Sequence, residues 1–148
     1  MEYLLLIPLT FLLGGLLLLL FMRPCPSMEN AGYVLLTPED AARQLLCSER
    51  ILLLDVRDIE ELEDFSLPRA HNVPLSMLAD QIGTLAPRLS TPIFLCCDAG
   101  TRSRAAALLL LGLGYDNAYD AGEIRPLAKA LEDLGQRDEI TQNPSYEG

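Results

Sequence analysis

Residues 93–111 place three kinds of chain end to end. The apolar run Ile93-Phe94-Leu95-Cys96 leads into Cys97-Asp98-Ala99-Gly100-Thr101-Arg102-Ser103, and that loop into Arg104-Ala105-Ala106-Ala107-Leu108-Leu109-Leu110-Leu111. A short apolar run bounded by turn signals predicts a buried strand, and the Ala/Leu stretch after the glycine predicts a helix. Strand, tight loop and helix then set Cys97 at the strand's C-terminal end, facing backbone N–H groups of the loop and the first helical turn. Such a nest, with a helix dipole behind it, stabilises negative charge on the sulfur. A free thiol has a pKa of about 8.5, which a helix N-terminus can lower to about 3.5–7.5. The loop is a thiolate cradle, and Cys97 the candidate nucleophile.

The remaining chain supplies elements for a sheet around that strand. Tyr33-Val34-Leu35-Leu36 reads as a short edge strand. Thr37 caps a helix that has Pro38 at its first position and Glu39 and Asp40 in its first turn, as capping and the helix dipole favour. Ala41, Ala42, Leu45 and Leu46 give it a core face, with Cys47 as a small packing residue in its last turn. Ile51-Leu52-Leu53-Leu54-Asp55-Val56 is apolar on both faces, the mark of a central parallel strand. Asp55 and Arg57 at its end are read as structural support, with Arg57 pairing to Glu60 or Glu61. Ile59, Leu62 and Phe65 at helical spacing predict a helix over 58–65, with Glu60, Glu61, Glu63 and Asp64 solvated.

Ser76 is the expected cap of a third helix with Met77, Leu78 and Ile82 inward. The helix from Arg102 is expected to stop at Gly112 or Gly114. Asn117 to Asp120 reads as a short strand, Ala121-Gly122 as a turn, and Ile124 to Leu134 as an amphipathic helix. Alternating strands and helices predict an α/β fold with three layers and right-handed crossovers. The cysteine then lies at the carboxyl ends of parallel strands, where such sheets place their sites.

Cys-x-x-Gly-x-Arg-Ser opening an Ala/Leu helix resembles the active-site loop of rhodanese-like sulfurtransferases. Asp55-Val56-Arg57, Ala70-x-Asn72-Val73-Pro74 and Gly114-Tyr115 extend the likeness over 33–134. The resemblance implies the rhodanese-like three-layer fold, with a central parallel sheet flanked by helices. It also implies sulfur transfer: Cys97 carries a persulfide, and Asp98, Ala99, Gly100, Thr101, Arg102 and Ser103 enclose the sulfane sulfur as the substrate-binding loop. The donor is thiosulfate, another small sulfane compound or a protein persulfide; the acceptor is left open. Three departures stand out. The family's histidine position holds Ser66, while the single histidine, His71, sits at a variable site and is a weaker candidate general base. Gly122-Glu123 replaces a Gly-Gly pair, and the chain has no tryptophan.

Two other functions compete. Cysteine-based phosphatases and arsenate reductases also use a Cys-to-Arg loop, but theirs holds one residue more than the four between Cys97 and Arg102. A shorter ring suits one sulfur atom better than a tetrahedral oxyanion. A non-catalytic rhodanese-like binding module has less reason to keep both Cys97 and Arg102. Cys96, beside the nucleophile, is expected on the opposite strand face as a buried apolar thiol; the alternative is that it resolves the Cys97 persulfide.

Charge and cysteine usage narrow the partners. A net charge of −10 speaks against nucleic acid or anionic lipid, which require basic patches. Cysteines at 25, 47, 96 and 97 form neither a disulfide framework nor metal-ligand spacing. No metal site and no cofactor are implied.

The N-terminus is a membrane candidate. Residues 3–22 carry no charge, and at about 1.5 Å per residue they would cross a hydrocarbon core of about 30 Å. A cleaved signal peptide is the rival, but Glu2 is acidic and no Ala-x-Ala site follows. The expected organisation is a single-pass transmembrane anchor over 1–23, a linker over 24–32, the catalytic domain over 33–135 and a flexible tail over 136–148. Arg23, the basic residue next to the span, places the domain in the cytoplasm by the positive-inside rule. Cys25, just outside the span, is a candidate for acylation, with an unmodified linker cysteine as the plainer reading.

Overall fold

The computed structural model of the protein describes residues 32–142. The candidate anchor, most of the linker including Cys25, and residues 143–148 lie outside the described residues. Among those described, no helix is long and apolar enough to cross a membrane.

Five strands form one sheet: β1 (Val34–Leu35), β2 (Leu52–Asp55), β3 (His71–Asn72), β4 (Ile93–Cys97) and β5 (Ala118–Glu123). The spatial order is β1-β5-β4-β2-β3, and every pairing is parallel. The helices are α1 (Pro38–Cys47), α2 (Leu78–Leu85), α3 (Thr101–Gly112) and α4 (Ile124–Gln142). Ala41, Ala42 and Leu45 of α1 share one buried cluster with Ile124 and Leu127 of α4, against Leu53, Phe94 and Cys96. Leu78 and Ile82 of α2 share the other with Ala106, Ala107 and Leu110 of α3, against Leu54, Leu95 and Cys97. The expected three-layer α/β architecture is the one observed.

β4 sits at the centre of this arrangement, and all five of its residues are buried. Each strand residue points to the face opposite its neighbour's, so Phe94 and Cys96 feed one helical layer while Ile93, Leu95 and Cys97 feed the other. That explains why the run is apolar without alternation. Phe94 meets Tyr119 edge-to-face at 5.5 Å between ring centroids. Tyr115, beyond α3, donates its hydroxyl to the Ala86 carbonyl at 2.8 Å, joining the ends of α3 and α2.

Several local expectations need correction. Leu46 and Cys47 are exposed: the core-facing stripe of α1 is narrow, taken up by Ala41, Ala42 and Leu45. The C-terminal carbonyls of α1 are met by the Arg69 guanidinium, which donates to Leu45 and Ser48 O. The stretch after Arg57 forms a single 3₁₀ turn, Ile59–Leu62, instead of a helix over 58–65. It is stopped because Arg57 draws the Glu61 and Phe65 carbonyls inward. Ile59 is consequently exposed. Ser76 does not cap α2; it lies in a 3₁₀ turn, Leu75–Met77, and Met77 is exposed. β5 runs through the expected turn at Ala121-Gly122, Gly122 taking a φ of 72° where the register with β4 shifts. α4 continues past Gly135 into the stretch read as tail.

Arg57 pairs with Asp55, not with the carboxylates of Glu60 or Glu61. Its Nη2 lies 2.7 Å from Asp55 Oδ2 and its Nε 3.0 Å from both carboxylate oxygens. Both residues are almost wholly buried. Asp55 raises the Arg57 pKa, chiefly by hydrogen bonding, so the guanidinium stays charged. Asn72 Nδ2 ties the strand end to β3 by donating to the Asp55 and Arg57 carbonyls. Removing one member of a buried pair strands the other charge, at about 3–5 kcal/mol. Asp55→Ala should therefore lower unfolding stability by that amount in urea titration. Arg43→Ala, which breaks an exposed pair with Asp40, should cost about 1 kcal/mol or less. Equal losses would mean that the buried pair is not the tie described.

Candidate active site

Cys97 closes β4 and is 1% exposed, so its sulfur lies beneath the following loop and not on open surface. Asp98 and Ala99 are exposed on that loop. Gly100 then takes a φ of 75° as the N-cap of α3. A Cβ there would meet nothing within 4 Å, so the left-handed backbone, not crowding, is what asks for glycine. With this turn made, α3 starts directly over the strand end. The Ser103 N–H donates to Cys97 Sγ at 3.3 Å. The Ser103 hydroxyl lies 3.5 Å from the sulfur, accepting from the thiol, and itself donates to Gly100 O at 3.1 Å. The cradle expected from the sequence is thus narrower than a full ring: Ser103 supplies the one backbone N–H bonded to the sulfur among the described residues.

The other loop residues divide into two sets. Ala99, Gly100 and Thr101 form one wall of an open cleft of about 690 Å³, whose far side is β1 and the start of α1. Arg102 turns the other way and grips Glu61 with two hydrogen bonds, the Nη2–Oε1 one at 2.7 Å. Asp58 lies 3.5 Å from the same guanidinium. Glu61 is thus no solvated bystander. Its carboxylate also accepts from the Asp58 N–H, closing a capping box on the 3₁₀ turn. The Arg102 hydrogen bonds hold the Glu61 pKa at about 2, and Glu61 in turn raises that of Arg102.

His71 belongs to none of this. It is exposed on β3 and borders a groove with Glu49, Arg50 and Thr91, at the opposite ends of the strands. Cys96 lies in the other core cluster from Cys97, its thiol donating to Leu54 O at 3.5 Å. Burial pushes its pKa up strongly, which keeps it a neutral thiol. The strand-face expectation for Cys96 is met. Glu61 was missed as a site residue, although Asp58-x-x-Glu61 is a legible capping box.

The protein is thus of the α/β class, with a buried cysteine at the carboxyl end of a central parallel strand and a helix N-terminus just beyond it. Residues 37–121 match the rhodanese-like domain, more than half of the chain, and the chain belongs to that family. It is 29% identical over 75 residues to the thiosulfate sulfurtransferase PspE of Escherichia coli, covering 51% of this chain and 72% of that protein. It is 34% identical over 90 residues to the adenylyltransferase and sulfurtransferase UBA4 of Candida albicans, but spans only 20% of that protein's length. Among solved structures, human single-domain sulfurtransferase TSTD1 aligns at 32% identity with a TM-score of 0.53, over 68% of this chain and 97% of that one.

The Glu61–Arg102 pair titrates with a definite sign. The Glu61 pKa is held at about 2, below the ordinary value of about 4.3. Its stabilisation is therefore complete above about pH 4.3 and is lost as pH falls through about 2. About a third of each side chain is exposed, so solvent limits the pair to about 1 kcal/mol. Glu61→Gln should be less stable than wild type by that amount at pH 7, and the gap should close toward pH 2. A gap unchanged across that range in thermal melts would show that the carboxylate charge is not what holds Arg102.

Proposed function

We propose that this domain is a sulfurtransferase that carries sulfane sulfur on Cys97. The observation that bears most weight is the buried Cys97 sulfur at the β4 terminus, held by the Ser103 N–H under the 97–103 loop. Membership of a family with sulfurtransferase relatives supports the same reading. In the first half-reaction the Cys97 thiolate attacks the outer sulfur of the donor. A new S–S bond forms as the donor's own S–S bond breaks. The departing fragment keeps the electron pair, leaving as sulfite from thiosulfate or as a thiolate from a persulfide. In the second half-reaction a thiophilic acceptor takes the outer sulfur and restores the thiolate.

Within this scheme Ser103 bonds the sulfur, Gly100 makes the turn, and Ala99 and Thr101 shape the approach. Arg102 acts through the loop: engaged by Glu61, it positions the backbone and leaves donor binding to other groups. The direct check is intact-protein and peptide mass spectrometry after donor treatment. Cys97 should gain the mass of one sulfur atom, removable by reductant or cyanide, and Cys97→Ser should gain none and turn over nothing. Cys96→Ala should load and discharge like wild type, any loss following its stability. A folded Cys97→Ser protein that still turned over would overturn the assignment.

The reading includes a membrane tether through residues 3–22, with the domain on the cytoplasmic side. Support comes from the uncharged run and from Arg23. The full chain should pellet with membranes, resist carbonate extraction, and lose that association when residues 1–23 are deleted. Release by carbonate alone would remove the tether from the proposal.

A further inference from the structure

The cleft beside the loop has a composition that the transfer of a lone sulfur atom does not use. Its volume, about 690 Å³, falls within the range of small-molecule sites and far exceeds what a thiosulfate ion fills. Much of its lining is apolar or backbone, from Leu35, Leu36, Pro38, Ala121 and Gly122. Three charged side chains border it: Arg104, Asp120 and Glu123. One cation against two carboxylates is a poor setting for a dianion.

The cation is placed by an aromatic ring. Arg104, in the first turn of α3, stacks over Tyr33 with its guanidinium carbon 5.0 Å from the ring centroid. It enters no ion pair among the described residues, so its N–H fork is open to a carboxylate.

The carboxylate is placed by the strand. Asp120 lies on β5 two residues after Ala118, and so on the α3 face of the sheet. It is 2% exposed. The Gly122 N–H donates to its Oδ1 at 2.8 Å, and Oδ2 has no protein partner among the described residues. No fully buried side-chain oxygen among the described residues is left without a partner, so Oδ2 keeps a trace of accessible surface, and Asp120 borders the cleft. Glu123, on the same rim, is the register partner of Cys97 across β4 and β5, which puts the cleft one strand from the sulfur.

Resting on the sulfurtransferase reading, we propose that this cleft seats the carrier portion of the sulfur donor, and that the donor is the persulfide of an α-amino acid or short peptide. Arg104 takes the carrier's carboxylate and Asp120 its ammonium, while the apolar wall receives the methylene stem. The Cys97 thiolate attacks the outer sulfur of R–S–SH. The S–S bond of the donor breaks, R–S⁻ leaves with the electron pair, and the proton stays on the sulfur now bound to Cys97. No oxidant or reductant is consumed.

The test follows single-turnover loading of Cys97 in the whole protein by four donors. They are the persulfides of cysteine, of 3-mercaptopropionate (no ammonium) and of cysteamine (no carboxylate), with thiosulfate as the fourth. Cysteine persulfide should load with a rate constant over apparent affinity about tenfold above either truncated carrier. Arg104→Gln should erase its advantage over the cysteamine compound, and Asp120→Asn its advantage over the mercaptopropionate compound. Arg104 is exposed, so its variant remains a fair test if Asp120→Asn fails to fold. Equal loading by all three persulfides, or an advantage over the cysteamine compound that survives Arg104→Gln, overturns the carrier site and leaves sulfur transfer standing. Loading by none of the four overturns the sulfurtransferase reading itself, and this inference with it.

Discussion

The buried Asp55–Arg57 pair holds the site end of the sheet together. Two opposite charges at almost no exposure are expensive to bury and survive only with every polar atom engaged. Arg57 meets that condition by reaching the Glu61 and Phe65 carbonyls as well as Asp55. In doing so it folds 58–65 back across the strand end, while Asn72 draws in β3. Glu61, placed by this arrangement, then grips Arg102 and with it the start of α3. The loop over Cys97 is therefore held from β2, through a chain of charges, as well as from its own strand.

The second organising fact is that β4 divides two adjacent cysteines between two cores. Cys97 ends on the α3 side, where a backbone N–H meets it, and Cys96 on the α1 and α4 side, where desolvation holds it neutral. Identical side chains one residue apart meet different surroundings because strand geometry sends them to opposite faces of the sheet. The same alternation sends Asp120 of β5 toward α3 and its neighbour Ala121 away from it.

What could be read from the sequence follows the range of the interactions involved. The β2 and β4 runs, the Thr37-Pro38 cap and the Gly100 turn are set within a few residues, and each stands where the local pattern puts it. The 3₁₀ turn at Ile59–Leu62 was not legible, because helical spacing there is overridden by the Arg57 contacts. Glu61 looked like one acid in a solvated run because its partner lies 41 residues away. Asp120 read as the last residue of a short strand; only the parallel pairing of β1 and β5 shows it flooring a cleft. The exposure of Cys47 and Met77 reflects how little helix surface the sheet can cover.

Arg69 makes the end of α1 depend on a distant stretch of the chain. α1 has ten residues and no basic side chain in its last turn, a length at which isolated helices are marginal. Its terminal carbonyls are met by a guanidinium lying 24 residues beyond Leu45. During synthesis the last turn of α1 is therefore emitted well before the group that finishes it. The end of that helix is completed only within the folded domain, by the stretch that leads into β3.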